Sequence, residues 1–263
     1  MSDSDMDYAM LWPVAERMAD AARDVTLRYF RTENLKADSK RVDFDPVTIA
    51  DREAERAMRD ILADLRPDDA ILGEEFEAQD GTTGLTWVLD PIDGTRGFIS
   101  GTPTWGVLIA VGDDDGPKLG VIDQPYVGER FMGGGGRSAM TSPLGNKPLG
   151  VRTGRDLAEA TLFTTFPEIG STDERAAFER VATEVQLTRY GADCYAYALL
   201  AAGQIDLVIE AGLNAYDIQA PIAVIEAAGG IVTDWRGGPA HSGGRAIAAA
   251  TPELHASAMA LLA

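Results

Sequence analysis

The pattern of apolar residues changes near residue 70, and this change restricts the fold more than any other feature of the sequence. Before it, apolar side chains recur at helical spacing and predict helices from Pro13 to about Phe30 and from about Ile49 to Leu65, with a polar loop at 34–46 between them. After it, short apolar runs alternate with turn residues, which is typical of strands. The strands predicted here lie at 70–73, 86–90, 105–111, 118–123 and 129–132, and the glycines at 133–136 predict a turn.

The second half of the chain alternates strands with helices. Its strands are predicted at 161–166, 185–190, 205–210, 230–235 and 246–250, and its helices at about 173–184, 193–202, 217–228 and 252–262. Alternation of this kind is typical of an α/β unit in which helices cover a sheet. We therefore predict an N-terminal α+β half at 1–150 and a C-terminal α/β half at 151–263, packed together as one compact unit.

The charge balance excludes several classes of partner. The chain has 23 basic and 42 acidic residues, and its net charge of −19 repels phosphate backbones, so no nucleic-acid partner is expected. The acidic N-terminus lacks the basic and apolar regions of a signal peptide, and no apolar run approaches the ~20 residues that cross a bilayer. We therefore expect a cytoplasmic protein without a membrane partner.

Cysteine and histidine are scarce. Cys194 is the single cysteine, so no internal disulfide can form, and His241 and His255 lie far from it in sequence. A zinc site of Cys and His ligands and a Cys–His catalytic pair are therefore not expected. We predict that Cys194 is a small buried residue near the start of a helix.

Carboxylates cluster at the ends of predicted strands. In WVLDPIDGT (87–95), Asp90 and Asp93 flank Pro91, which stiffens the turn and lets both carboxylates point to one side. GEEF (73–76) places Glu74 at the end of another strand. An ordinary polar turn is the structural alternative for each motif.

Two further carboxylates stand at the starts of predicted helices. Asp217 opens AYDIQAPIAVIEAAGG (215–230), and Thr48 with Asp51 has the spacing of a capping box. The structural alternative for Asp217 is an N-cap, where aspartate is favoured. Taken together, these acidic groups supply hard oxygen ligands without any His or Cys, a set that suits Mg²⁺ better than zinc.

WVLDPIDGT preceded by GEE, followed far downstream by AYDIQAPIAVIEAAGG, resembles the motifs of the inositol monophosphatase superfamily. The resemblance extends from the helix at Pro13 to AIAAA (246–250). It implies a layered αβαβα sandwich and a Mg²⁺-dependent, lithium-sensitive phosphomonoesterase with two or three Mg²⁺ ions per active site. It also implies a small phosphorylated metabolite as substrate and a homodimer.

The resemblance also implies roles for individual residues. Glu74, Asp90 and the backbone carbonyl of Ile92 would hold one metal ion, and Asp90, Asp93 and Asp217 would hold a second. Asp51 and Thr95, with Glu74, would orient or deprotonate the attacking water. The backbone N–H groups of Gly94 and Thr95 would bind phosphate oxygens at the start of a short helix.

Two segments resemble the histidinol-phosphatase branch of this superfamily, namely DGTRGFISGTPTWGVLIAV (93–111) and YGADCYAYALLAAGQIDLVIEAGLNAYD (190–217). Histidinol phosphate carries an ammonium and an imidazole, so Asp193 and Glu210 are predicted to bind the substrate. Trp105, Tyr195 or Tyr197 would flank the imidazole. The structural alternatives are a helix cap for Asp193 and helix packing for Tyr197.

Two alternatives to this function stay open at the level of sequence. The first is an inositol-1-monophosphatase or a broad phosphomonoesterase of the same family, since Arg96-Gly97 departs from the pattern of both branches. The second is a metal-binding module without turnover, which the presence of every acidic residue named above disfavours.

Overall fold

The computed structural model describes residues 8–33, 37–39 and 46–263. These residues form seven α-helices: α1 Trp12–Tyr29, α2 Ile49–Leu65, α3 Thr95–Ser100, α4 Thr172–Ala182, α5 Cys194–Ala201, α6 Ala215–Ala227 and α7 Pro252–Leu262. The helices predicted from periodicity are confirmed to within two residues at each end. Six residues are too few for a periodic signal, so α3 is not among them. Within the described ranges, no helix combines the length and the apolar composition that crossing a membrane requires.

The described strands are β1 Ala37–Ser39, β2 Pro46–Thr48, β3 Ala70–Gly73, β4 Thr86–Asp93, β5 Gly106–Asp113, β6 Gly116–Gln124, β7 Glu129–Gly134, β8 Arg137–Thr141, β9 Lys147–Pro148, β10 Thr161–Thr164, β11 Leu187–Tyr190, β12 Leu207–Leu213, β13 Ile231–Thr233 and β14 Gly244–Ala249. Every predicted strand is confirmed, and β8 and β9 follow the glycine turn that ends β7. The predicted loop at 34–46 is wrong in part, because β1 pairs antiparallel with β2; its positions 34–36 and 40–45 lie outside the described residues.

The strands from 70 to 148 and those from 161 to 249 form two separate sheets. The first sheet has seven described strands in the order β3-β4-β5-β6-β7-β8-β9, parallel between β3 and β4 and antiparallel elsewhere. The second has five in the order β11-β10-β12-β14-β13, with β10 parallel to both of its neighbours. The domain boundary at residue 150 stays a prediction, although the chain passes from one sheet to the other there.

Alternate residues of each strand face different helices, as the pleat of a sheet requires. Trp87 and Leu89 pack in one apolar cluster with α1 and α2, whereas Val88 packs on the opposite face with α5 and α6. In the second sheet, Val208 faces α5 and α6, and Leu207 packs with α4 and α7. The layers are therefore helices, sheet, helices, sheet and helices, and the expected αβαβα sandwich is confirmed.

Helix α6 lies close against the first sheet because glycines leave room for it. A Cβ atom on Gly120 would lie 2.5 Å from the carbonyl oxygen of Ala220, and one on Gly133 would meet the backbone of Val224. Larger residues at these two strand positions would push the helix away. This close packing holds the N-terminus of α6, with Asp217, beside the ends of the central strands.

Candidate metal centre

A β-bulge brings two aspartates of β4 to the same side of the sheet. Asp90 pairs with Leu108 of β5 and Asp93 with Gly106, so three steps along β4 match only two along β5. In a regular strand, residues three apart point to opposite faces; one extra residue reverses this. Pro91, which has no backbone N–H to donate to a ladder, lies inside the bulge. The predicted convergence of Asp90 and Asp93 is therefore confirmed.

Asp217 completes a group of three carboxylates. One oxygen from each of Asp90, Asp93 and Asp217 lies within 4.8 Å of the other two. Asp217 is the third residue of α6, and its Oδ2 accepts a hydrogen bond of 2.6 Å from the N–H of Asn214 in a capping box. The N-cap of α6 is thus Asn214, and the alternative of Asp217 as the N-cap is wrong.

The other two carboxylates are fixed in the same way. Asp90 is buried, and its Oδ1 accepts a hydrogen bond of 3.0 Å from the N–H of Ile92. Oδ2 of Asp93 accepts a bond of 2.6 Å from the N–H of Cys194 at the start of α5. Each carboxylate is therefore oriented by a backbone donor, and the group needs no induced movement to converge.

The electrostatics of this group favour a bound cation. Burial and the charges of Glu74, Asp93 and Asp217 raise the pKa of Asp90 well above its usual value. Burial and the charges of Asp193 and Asp217 likewise raise the pKa of Asp93, against the lowering effect of its bonds to Cys194. Like charges held this close disfavour ionisation unless a cation lies between them. Three hard oxygen donors in one place fit Mg²⁺.

Asp51 and Thr95 lie together beside this group. Oδ2 of Asp51 accepts hydrogen bonds from the N–H (2.8 Å) and the hydroxyl (2.6 Å) of Thr48, which confirms the capping box at the start of α2. Its Oδ1 lies 3.5 Å from the hydroxyl of Thr95, which also lies 3.1 Å from the carbonyl oxygen of Ile92. The cap uses one oxygen of Asp51, and the other points toward the predicted metal ligand Ile92 and Thr95.

Gly94 has a left-handed backbone, with φ of 82°, and precedes the first turn of α3. A Cβ atom there would lie 2.8 Å from Cγ of Asp193, so glycine is needed both for the conformation and for the approach of that carboxylate. The structure therefore places the predicted phosphate-binding turn directly against the predicted substrate-binding residue.

Asp193 is not an ordinary helix cap. Its φ of 47° and ψ of −139° are unfavourable for any residue except glycine, and within the described part of the chain its side chain makes no capping hydrogen bond. Burial raises the pKa of Asp193 to about 6, although the charge of Arg96 acts in the opposite direction. The cap alternative is therefore confirmed for the position of Asp193 before α5 but not for its side chain, which the strained backbone directs at Gly94, before α3.

Glu210 lies on β12 and is 7% exposed. Its Oε1 accepts hydrogen bonds from the N–H (2.6 Å) and the hydroxyl (2.9 Å) of Thr165, and its Oε2 accepts one from the hydroxyl of Thr164 (3.1 Å). Burial raises the pKa of Glu210 to about 7; the bonds from both threonines lower it, and the charge of Asp193 raises it. The charge of Asp193 thus contributes to the electrostatic environment of Glu210.

The aromatic residues predicted to flank the substrate are placed differently. Trp105 is fully buried, with its ring centroid 4.8 Å from that of Phe98, so its assignment as a wall of the pocket is wrong. The hydroxyl of Tyr195 donates to Glu129 at 2.7 Å. Tyr197 is 3% exposed, as helix packing predicts, and its hydroxyl has no hydrogen-bond partner among the described residues.

Cys194 is the first residue of α5 and is buried, as predicted. Burial and the neighbouring charge of Asp93 raise the pKa of its thiol well above the usual value. A thiol held in its protonated form is a poor nucleophile.

Sequence reasoning missed Phe166 and Glu55. The Phe166 ring is 43% exposed, directly follows Thr165, and lies 4.8 Å below the guanidinium of Arg96. No local sequence pattern indicates Phe166, because its contact joins α3 to the end of β10.

Glu55 is fully buried one turn after Asp51 on α2. Its spacing of four from Asp51, which puts both on one face of a helix, is a signal that could have found it.

A family model described as the inositol monophosphatase family matches residues 7–263. The chloroplastic bifunctional phosphatase IMPL2 of Arabidopsis thaliana is 44% identical over 239 residues, covering 90% of this chain and 67% of that protein. The histidinol-phosphatase of Mycobacterium tuberculosis is 35% identical over 238 residues, which cover 89% of this chain and 91% of that protein. A solved structure of an inositol monophosphatase from Zymomonas mobilis superposes with a TM-score of 0.84 at 38% identity. The match covers 97% of this chain and 98% of that one.

Proposed function

Because this chain belongs to the inositol monophosphatase family and is a phosphatase of phosphomonoesters, we propose that it hydrolyses histidinol phosphate with the aid of Mg²⁺. The observation that carries the proposal is that two further carboxylates, the half-buried Asp193 and the buried Glu210, lie beside the three converging ones. Carboxylates withdrawn from water in this way favour a positive partner. Histidinol phosphate supplies one as its ammonium group.

Mg²⁺ is the proposed cofactor, with two or three ions per site. Glu74, Asp90 and the carbonyl of Ile92 would hold one ion, and Asp90 would share a second with Asp93 and Asp217. The fit rests on the oxygens of Asp90, Asp93 and Asp217, which lie within 4.8 Å of one another, and on the neighbouring Glu74 charge, which raises the pKa of Asp90. When bound, Mg²⁺ neutralises the phosphate dianion and lowers the pKa of water, which no side chain of this site does by itself.

The protein supplies positioning and proton transfer. Oδ1 of Asp51 and the hydroxyl of Thr95 are 3.5 Å apart and would hold a water between them and Glu74, with Asp51 accepting its proton. The N–H groups of Gly94 and Thr95, at the start of α3, would receive phosphate oxygens. The fixed bonds of Asp51 to Thr48 keep this arrangement rigid before substrate binds.

The remainder of the substrate would lie between the two sheets. Its ammonium would pair with Asp193 and Glu210, and its imidazole would lie on the exposed ring of Phe166, where Arg96 stacks in this structure. The proposal agrees with the similarity of the chain to the histidinol-phosphatases of Chlorobaculum parvum and Mycobacterium tuberculosis, at 34% and 35% identity.

Inositol 1-phosphate is the second candidate substrate. The inositol-1-monophosphatase of Mycobacterium leprae is 33% identical over 273 residues. Glu210, with the hydroxyls of Thr164 and Thr165 beside it, offers acceptors and donors that also suit a polyol. A binding module without turnover is disfavoured, since the residues for proton transfer accompany those for metal binding.

Two further properties belong to the proposal. We expect a homodimer, in line with the family resemblance, and light scattering behind size-exclusion chromatography measures it. We also propose a cytoplasmic location, although the Arabidopsis relative is named chloroplastic.

The test measures phosphate release from histidinol phosphate and from inositol 1-phosphate at equal concentrations, with Mg²⁺ and with EDTA. We expect kcat/KM to favour histidinol phosphate, activity to disappear with EDTA, and lithium to inhibit in the millimolar range. In Asp193→Asn, kcat/KM for histidinol phosphate should fall roughly ten- to a hundredfold, because a charge-assisted hydrogen bond contributes ~1.5–3 kcal/mol. A wild-type preference for inositol 1-phosphate would transfer the assignment to the second candidate.

A further inference from the structure

Glu55 lies one helical turn after Asp51 on α2, and its side chain is fully buried. Its two carboxylate oxygens serve different partners. Oε1 accepts a hydrogen bond of 2.8 Å from Nε of Arg59, on the same helix. Oε2 accepts one of 2.7 Å from the backbone N–H of Glu75, which lies in the loop after β3. A single side chain thus joins the helix of Asp51 to the loop of Glu74.

Arg59 extends this connection along the loop. Its Nη2 donates to the carbonyl oxygens of Phe76 and Glu77, at 3.3 Å and 3.1 Å, and its guanidinium lies 5.7 Å from the centre of the Phe76 ring. Glu55 and Arg59 together therefore contact the backbone of three consecutive residues, 75 to 77.

Gly73 provides the space for this contact. A Cβ atom on Gly73 would coincide with the carboxylate of Glu55, so only glycine lets the helix approach the end of β3. On the other side, the N–H of Glu74 donates to the carbonyl oxygen of Leu89 at 3.2 Å, next to Asp90 in β4. The backbone at Glu74 is held between β4 and the Glu55 carboxylate.

We propose that Glu55 is a positioning residue that holds the carboxylate of Glu74 against Asp90 for metal binding; this inference rests on the proposed function. Through α2 it also makes Asp51 and Glu74 parts of one rigid unit. Stability alone does not account for the pair, because a buried carboxylate–arginine pair is often no more stabilising than well-packed apolar residues. Residues that orient metal ligands typically change metal affinity or activity 10- to 100-fold when substituted.

Two substitutions test the proposal by different routes. Glu55→Gln keeps the size of the side chain, but both of its present partners are donors, so the amide nitrogen must face one of them without a bond. Gly73→Ala keeps every charge and adds the methyl group that displaces the Glu55 carboxylate. Either variant should release the loop at Glu74.

Asp206→Asn is the matched control. Asp206 is also fully buried, and it also accepts hydrogen bonds from an arginine, Arg152, and from one backbone N–H, that of Thr161 at 2.7 Å. It directly precedes β12 and lies four residues before Glu210, roughly 13 Å away by the rise of a strand. Replacing this carboxylate should lower the melting temperature of the protein without changing the loop at Glu74.

The readout is binding of Mg²⁺ alone, measured by calorimetric titration of the full chain and by the rise of melting temperature with Mg²⁺. We expect Mg²⁺ to bind at least tenfold more weakly in Glu55→Gln and Gly73→Ala, and unchanged in Asp206→Asn. Wild-type affinity in both test variants, or an equal loss in the control, would overturn the proposal while leaving the proposed function intact. If the wild type itself binds no Mg²⁺, the metal assignment fails and this inference fails with it.

Discussion

Replacing Glu210 by glutamine should stabilise the metal-free protein at alkaline pH. The carboxylate of Glu210 is buried, and burial raises its pKa from 4.5 to about 7. Glutamine fits the same space without a charge. Its carbonyl oxygen can accept from the N–H of Thr165, and its amide group can donate to the hydroxyl of Thr164, which is free to act as an acceptor.

The size of the effect follows from the change in pKa. The folded protein holds the Glu210 proton more tightly than the unfolded chain does, so the group's contribution to stability is complete below pH 4.5 and is lost as the pH rises through about 7. At ~1.4 kcal/mol per unit of pKa, ionisation of the wild-type residue should remove about 2 to 3 kcal/mol between pH 5 and pH 8. The variant carries no such charge, so its free energy of unfolding relative to wild type should rise by that amount.

The assay is urea unfolding in EDTA, followed by tryptophan fluorescence, for wild type and variant across this pH range. The difference between the two proteins isolates Glu210 from the other titrating groups. Glu253→Gln, which replaces an exposed carboxylate in the first turn of α7, is the matched control for removing a glutamate charge. A difference for Glu210→Gln that does not grow with pH would refute the reasoning.

The same variant separates stability from function. If Glu210 binds the substrate ammonium, Glu210→Gln should lower kcat/KM for histidinol phosphate roughly ten- to a hundredfold while gaining stability. A small ester without an ammonium, such as glycerol 2-phosphate, never uses that contact and should be hydrolysed as before. Equal losses on both substrates would point to a general disturbance of the site instead.

Three further changes address the rest of the site. Asp93→Asn should keep the fold, since an amide oxygen can still accept from the N–H of Cys194, but should bind Mg²⁺ weakly and lose most activity; circular dichroism and a Mg²⁺ titration of turnover measure both. Asp51→Asn should lower kcat far more than it raises KM and cost ~1 kcal/mol of stability, whereas a residue that serves only as a cap would leave kcat nearly intact. Phe166→Leu should lower kcat/KM for histidinol phosphate about three- to tenfold and leave inositol 1-phosphate unchanged, because stacking on a ring contributes ~0.5–1.5 kcal/mol.

The parts of the structure that the sequence predicts are those with local causes. The α2 helix begins and ends where its apolar spacing, the Thr48 cap and Pro67 place it. The convergence of Asp90 and Asp93 also has a local cause, because Pro91 sits in the bulge that turns both carboxylates to one side. For such features, the residues that decide the conformation lie within a few positions of it.

The parts that sequence reasoning missed depend on contacts between distant segments. Asp193 has the sequence context of a helix cap, and only its packing against Gly94 shows why its backbone is strained. Trp105 looks available for a ligand, yet it is enclosed by Phe30 and Phe98. The hydrophobic periodicity of a single helix or strand does not indicate which residues of distant segments come into contact.

The site holds four carboxylates in surroundings that oppose their ionisation. Burial and repulsion raise the pKa of Asp90 and Asp93, so ionising them in the metal-free protein is unfavourable. The same holds for Asp193 and Glu210, whose pKa values rise to about 6 and about 7. Asp90 and Asp93 offer the hard oxygen donors that Mg²⁺ prefers, and Asp193 and Glu210 lie beside an exposed aromatic ring that suits an organic cation.

Each cation that binds stabilises the ionised form of its carboxylates, so its affinity should rise with pH and its binding should release protons. Neighbouring charges also link the two groups, because Asp193 raises the pKa of both Asp93 and Glu210. Mg²⁺ bound at Asp90 and Asp93 should therefore favour the ionised forms of Asp193 and Glu210.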